Sequence, residues 1–132
     1  MTKLKYLSLF ILLFVLAPVA HADPIDGVIW LIRQGNVTRL SQLFESTIEI
    51  TLDNKEDTYS KAQATTLLTR FFNEHKPERV NLLHKVNTNH KFLFGVAIMK
   101  SSKGNYRIAY TFNEIAGSMK IIEMRIEPEK TK

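Results

Sequence analysis

A chain of 132 residues with 18 Lys and Arg against 13 Asp and Glu carries a formal net charge of +5 and is long enough for one modest core, too short for two ordinary domains. Cysteine is absent, which excludes a disulfide framework, a thiol nucleophile, a thiolate metal site and an acylated anchor. The basic residues are spread along the chain with acids between them, the opposite of a nucleic-acid-binding stripe, so nucleic acid is set aside as a partner.

The first residues read as an address. Met1-Thr2-Lys3-Leu4-Lys5 is a short basic start, Tyr6 to Val19 is almost wholly apolar, and Ala20-His21-Ala22 has the small residues two apart that signal peptidase accepts. The apolar run is shorter than the roughly 20 residues of a spanning helix, and Pro18 disfavours helix before the cleavage point. The expectation is a signal peptide at 1–22 cleaved after Ala22, and one α+β domain at 23–132 in the periplasm or outside the cell, with no stable membrane anchor. Removing Lys3 and Lys5 with the leader lowers the net charge to +3.

Asp23-Pro24 opens a helix, since Asp caps and Pro is tolerated in the first turn; Ile25, Val28, Ile29 and Ile32 recur at helical spacing, and Gly35-Asn36 closes it. A short helix is expected over Val37–Phe44, then a half-buried strand over Ser46–Asp53, where Ile48, Ile50 and Leu52 alternate with polar residues. Asn54-Lys55-Glu56-Asp57 reads as a solvated turn. Ser60 and Gln63 form the S-x-x-Q capping box of the strongest helix, whose apolar face is Ala64, Leu67, Leu68, Phe71 and Phe72, and which Pro77 stops. A meander follows. Arg79–Val86 alternates with Val80, Leu82, His84 and Val86 on one face; Asn87–His90 turns; Phe92–Met99 is apolar on both faces, with Gly95 marking a bulge or close approach. Ser102–Asn105 makes a hairpin into a strand carrying Tyr106, Ile108, Tyr110 and Phe112, and the last strand sets Ile122, Met124 and Ile126 against Ile121, Glu123, Arg125 and Glu127.

Helices segregated to one face of an antiparallel sheet make an α+β domain. The order of elements resembles the nuclear transport factor 2-like superfamily, in which a curved antiparallel sheet wraps a long helix into a cone. Gly35-Asn36, the Ile48–Leu52 strand, Tyr59-Ser60-Lys61-Ala62-Gln63-Ala64, Phe71-Phe72, Gly104-Asn105-Tyr106-Arg107 and Met124-Arg125-Ile126-Glu127 together resemble a family of small exported bacterial proteins of unknown function. The superfamily includes isomerases, dehydratases, transport factors and non-catalytic modules, so the resemblance implies a fold and selects no activity.

The residues themselves carry little chemistry. His75, His84 and His90 have no partner at metal-ligand spacing, and neither a phosphate-binding glycine loop nor a serine-nucleophile signature occurs, so no metal and no cofactor are expected. Strand parity collects His84, Tyr106 and Tyr110 in the cone, joined by Trp30 and Tyr59 from the front half and by Glu114 at the rim: these are the ligand-pocket candidates. With His84 as base and Tyr106 or Tyr110 assisting, the set suits a small-molecule isomerase or dehydratase. Glu49, Glu123 and Glu127 fall on the opposite face, so the strands bring no carboxylate into the cone, and the favoured reading is a non-catalytic binding or protein-interaction module for a small apolar ligand or an envelope protein. The outer sheet face, read as Leu83, Leu93, Ala97, Met99, Ala109 and Ile121, suggests a homodimer. Asn36-Val37-Thr38 is a glycosylation sequon that matters only in a glycosylating host.

Overall fold

The computed structural model describes residues 23–130, so the leader expected at 1–22 lies outside the described residues. Nine elements follow in order: α1 (Pro24–Arg33), α2 (Val37–Ser41), β1 (Phe44–Leu52), β2 (Lys55–Ser60), α3 (Lys61–Glu74), β3 (Pro77–Thr88), β4 (Phe92–Ser101), β5 (Gly104–Ile115) and β6 (Ser118–Pro128). The strands form one curved six-stranded sheet in the order β2-β1-β6-β5-β4-β3, antiparallel throughout except where β1 lies parallel to β6. Helix α1 packs on β3 and β4, and α3 on β1 and β2, giving the α+β architecture.

Local chemistry sets the helix ends. The Asp23 carboxylate accepts from the Ile25 amide at 2.9 Å and caps α1. At the other end Gly35 takes φ +62°, its amide donates to the Ile32 carbonyl, and the Asn36 amide donates to Leu31, the paired bonds of a Schellman motif. Asn36 then caps α2, accepting from the Arg39 amide at 3.1 Å. Ser60 and Gln63 close the capping box of α3 in both directions. Two expectations change. Helix α2 stops at Ser41, because Phe44 is drawn into the sheet opposite Ile121 and fully buried. Helix α3, although the longest of the described helices, has only 14 residues, about 21 Å at 1.5 Å per residue, and is not the long helix expected.

Two strands also depart from expectation. Lys55-Glu56-Asp57-Thr58-Tyr59-Ser60 is not a turn but an edge strand, β2, paired with β1 alone. The turn is the pair Asp53 and Asn54, both at positive φ, as a two-residue hairpin loop requires. Charges along an edge strand are one way to discourage pairing with another chain, and they hide it from a search for apolar alternation. In β3 the register slips by one residue between Leu82 and His84, opposite Ala97 and Val96. Leu83 is the extra residue, and the bulge reverses parity beyond it. Val80 and Leu82 share the parity of the helix-covered face, whereas His84 and Val86 lie in register with Val96 and Phe94 on the other. The bulge also places Lys85 on the helix side, where its ammonium donates to Asp23 at 2.8 Å.

The core spans Ile25 to Ile126 and lies between the helices and the concave face. At its centre Tyr110 sits directly opposite Gly95 in the β4–β5 pairing, wholly buried, and its hydroxyl donates to the Ile25 carbonyl at 2.8 Å. A Cβ built on Gly95 would stand 2.8 Å from Tyr110 Cζ and 2.9 Å from Ile25 Cγ2. Of the two roles expected for Gly95, close approach is the one observed: β4 pairs with β5 without a slip, and the nearby extra residue in its ladder with β3 is Leu83 of β3.

Gly95→Ala therefore forces the Tyr110 ring and α1 apart. We expect a loss of about 1–3 kcal/mol in urea unfolding with near-native secondary structure; a variant as stable as the parent would contradict this packing. The Asp23–Lys85 pair generates a pH dependence. The Lys85 hydrogen bond holds the Asp23 carboxyl below its ordinary value against the opposing effect of partial burial, helped by the Ile25 amide. A depressed carboxyl stabilises the fold above its unfolded pKa and loses that contribution as pH falls through the folded one. Lys85→Met should be less stable than the parent at neutral pH, and the gap should close in acid, read as urea midpoints between about pH 7 and 2.5. A gap independent of pH would mean that the pair contributes nothing.

Candidate functional site

The six sequence-derived pocket residues do not converge. His84 is exposed on the outer face because of the β3 bulge, while Tyr110 is buried on the inner one, so the proposed base and phenol lie on opposite sides of the sheet. Tyr110 is already committed to Ile25, and burial, with the charges of Asp26 and Asp23 adding to it, pushes its phenol up and disfavours ionisation. Tyr106 is half-buried at the far end of α3, edge-on to Phe71 at 5.2 Å and His75 at 5.1 Å; desolvation and then Asp53 raise its phenol. Tyr59 is half-buried on the edge strand opposite Ile48, and Glu114 is exposed near the β5–β6 turn, opposite Met119. Trp30 lies outside the buried stripe of α1 and is 49% exposed.

The outer face also has different members from those expected. Leu93, Ala97, Met99 and Ile121 point inward and are buried in the core. Register puts Phe94, Val96 and Ile98 of β4 on the outside instead, beside Ala109 of β5, which was expected there.

Three of the six line separate hollows: Tyr59 between β2 and α3, Tyr106 beside the β4–β5 turn, and Trp30 beside α1. Between α1, α2 and the β5–β6 hairpin runs an open, predominantly apolar groove of about 370 Å³ lined by Asp23, Pro24, Gly27, Trp30, Leu31, Arg39, Leu43, Phe112 and Met119. Its construction follows from the helix period. Ile25, Val28, Ile29 and Ile32 face the core, which leaves Gly27, Trp30 and Leu31, at i, i+3 and i+4, on an adjoining strip. Phe112 and Leu31 form a buried floor, Met119 and Leu43 are half-covered walls, and Arg39 in the first turn of α2 stands at the rim. Sequence reasoning named Trp30 and missed the rest, because the groove joins the front helices to the β5–β6 hairpin at the far end of the chain.

A second hollow of similar size, lined by Asp57, Thr58, Tyr59, Gln63, Thr66, Leu67 and Arg70, lies between β2 and α3 and is polar and apolar in about equal parts. Among the described residues every buried side-chain nitrogen and oxygen has a hydrogen-bond partner, and no three His, Asp or Glu side chains gather where they could hold a metal ion. What the α1–α2 groove offers is apolar surface with Arg39 beside it and an Asp23 carboxylate already engaged by the Ile25 amide and Lys85: chemistry for holding a molecule.

The fold is shared with solved structures. A protein from Bacteroides uniformis matches with a TM-score of 0.77 at 23% identity, covering 83% of this chain and all of the other; one from Bacteroides ovatus matches at 0.75 and 20%, covering 80% and 94%. Both are members of the DUF4783 family. An NTF2-like protein from Cytophaga hutchinsonii matches at 0.57 with 11% identity, covering 77% and 89%, a likeness of fold alone. Comparison with curated proteins finds no match. The family described as "Domain of unknown function (DUF4783)" matches residues 25–127, from the first core residue of α1 to the end of β6, and the chain belongs to it.

Proposed function

We propose that the protein is an exported, non-catalytic binding module that takes a small apolar ligand in the groove beside Trp30. The observation that carries this reading is the pairing of a half-exposed tryptophan with a helix glycine over open space. Gly27 has ordinary helical backbone, and a Cβ on it would meet nothing within 4 Å. Glycine inside a helix costs about 0.5–1 kcal/mol relative to alanine. Neither backbone nor packing calls for it; a groove that must stay deep does. The isomerase or dehydratase alternative is weakened by the separation of His84 from Tyr110, which lie on opposite faces of the sheet, and by the commitment of the Tyr110 hydroxyl to the Ile25 carbonyl.

Export is supported by the leader pattern of the first 22 residues, a basic start, an apolar run and Ala20-His21-Ala22. Asp23, the residue that follows, caps α1, so cleavage after Ala22 keeps the cap on the chain. Intact-mass measurement of the protein recovered from the cell envelope should give a chain starting at Asp23. Recovery with Met1 retained would refute cleavage.

Trp30 is the only tryptophan in the chain, so its fluorescence reports on the groove directly. A neutral apolar dye such as Nile red should bind, perturb Trp30 emission and be displaced by other apolar molecules. Gly27→Leu should fold with no loss in thermal midpoint yet weaken dye binding at least tenfold. Unchanged binding in that variant would remove the groove as the site.

A further inference from the structure

We propose that the ligand of this groove is a single-chain amphiphile with an anionic head, an aliphatic carboxylate of medium length, whose charge Arg39 reads. The inference rests on the groove reading and specifies the ligand's chemistry.

Three observations lead to it. The first is charge. Two acidic or basic side chains stand among the groove-lining residues, Asp23 and Arg39, and they are not equivalent. The Asp23 carboxylate is occupied, accepting from the Ile25 amide at 2.9 Å and from the Lys85 ammonium at 2.8 Å. Among the described residues the Arg39 guanidinium has no ion pair and no side-chain hydrogen bond, and the ion pairs found are Lys85 with Asp23 and Arg125 with Glu127. The acid at the rim is therefore neutralised from within the fold, and the cation is left with its full set of donors. A guanidinium presents a planar fork that matches a carboxylate in two parallel hydrogen bonds.

The second is placement. Arg39 is held by its own backbone: Asn36 caps α2 through the Arg39 amide at 3.1 Å, and Asn36 is fixed in turn by its amide bond to the Leu31 carbonyl. Leu31 itself lines the groove. The same Schellman turn that ends α1 thus locates the cation against the apolar strip of α1. Apolar walls lower the local dielectric, so an anion beside them gains more from the guanidinium than it would on open surface.

The third is size. A methylene needs roughly the ~30 Å³ of a liquid water. A groove of about 370 Å³ then has room for roughly a dozen such units, enough for one aliphatic chain of medium length. It is open to solvent, so a head group can stay beside Arg39 while the chain lies against Trp30, Leu31 and Met119. A fully apolar ligand would leave the charge without a counterpart, and a cationic amphiphile would be repelled by it.

The test compares decanoate, 1-decanol and decyltrimethylammonium, all below micelle formation, by Trp30 fluorescence and calorimetry at low ionic strength. Decanoate should bind at least fivefold tighter than decanol in the parent, and the cationic chain more weakly than either. Arg39→Gln, an exposed substitution that keeps the backbone cap, should bring the ratio of decanoate to decanol affinity down to about one. Raising salt should shrink that preference in the parent and leave decanol unaffected. If decanol and decanoate bind equally, or if the preference survives in Arg39→Gln, the inference about the head group fails while the apolar groove stands. If none of the three binds, the groove reading fails and this inference with it.

Discussion

The fold turns on a ring lying flat against a residue with no side chain. Tyr110 fills the concavity of the sheet only because Gly95, its cross-strand partner, leaves room, and its hydroxyl can be buried only because the Ile25 carbonyl accepts from it. That acceptor belongs to the first turn of α1, so the seat of the ring depends on where α1 starts. Asp23 sets the start by capping, and Lys85 tethers Asp23 to β3. Lys85 faces inward only because Leu83 is looped out of register. A bulge in one strand, an ion pair, a helix cap and a glycine in the next strand form one continuous set of dependencies across the middle of the domain.

This chain of dependencies separates what was legible in the sequence from what was not. Local signals were readable because they involve residues within a few positions of each other: Asp23-Pro24, Gly35-Asn36 and Ser60 with Gln63 all end helices as their chemistry demands. Gly95 was readable as a special position, and the structure selects close approach over a bulge. The bulge in β3 carries no glycine or proline to announce it, and one unpaired residue sends His84 and Val86 to the opposite face. The double-sided apolar run Phe92–Met99 has no parity of its own. Only its pairing with β5 shows that Leu93, Ala97 and Met99 go inward while Phe94, Val96 and Ile98 face out. Edge strand β2 was invisible for another reason: it buries almost nothing, so its sequence obeys solubility rather than packing.

The same facts bear on the kind of function the domain supports. Acid–base catalysis needs a titratable pair within hydrogen-bond reach in a site from which water is excluded. Here the interior of the curved sheet is occupied by Tyr110, Phe112, Phe44 and Met124, which are fully buried, and the one phenol among them is spent on the fold. With the interior filled, a ligand meets the protein where the layers part. The front helices and the β5–β6 hairpin leave such a gap, and the DUF4783 relatives share the architecture that creates it. At identities below a quarter, that sharing speaks for the backbone and not for the lining.

Three glycines make the strongest argument about that gap, because each has a different reason to exist. Gly95 is dictated by contact, since any side chain would collide with Tyr110 and Ile25. Gly35 is dictated by conformation, since it ends α1 at positive φ. Gly27 is dictated by neither. It sits in regular helix, where alanine would be more stable, with open space above it. Stability alone therefore favours filling that position, and the fold leaves it empty beside a half-exposed tryptophan and an arginine that has no ion pair among the described residues. A residue that the folded state does not require fits the groove proposed beside it, at the rim of the domain rather than in its core.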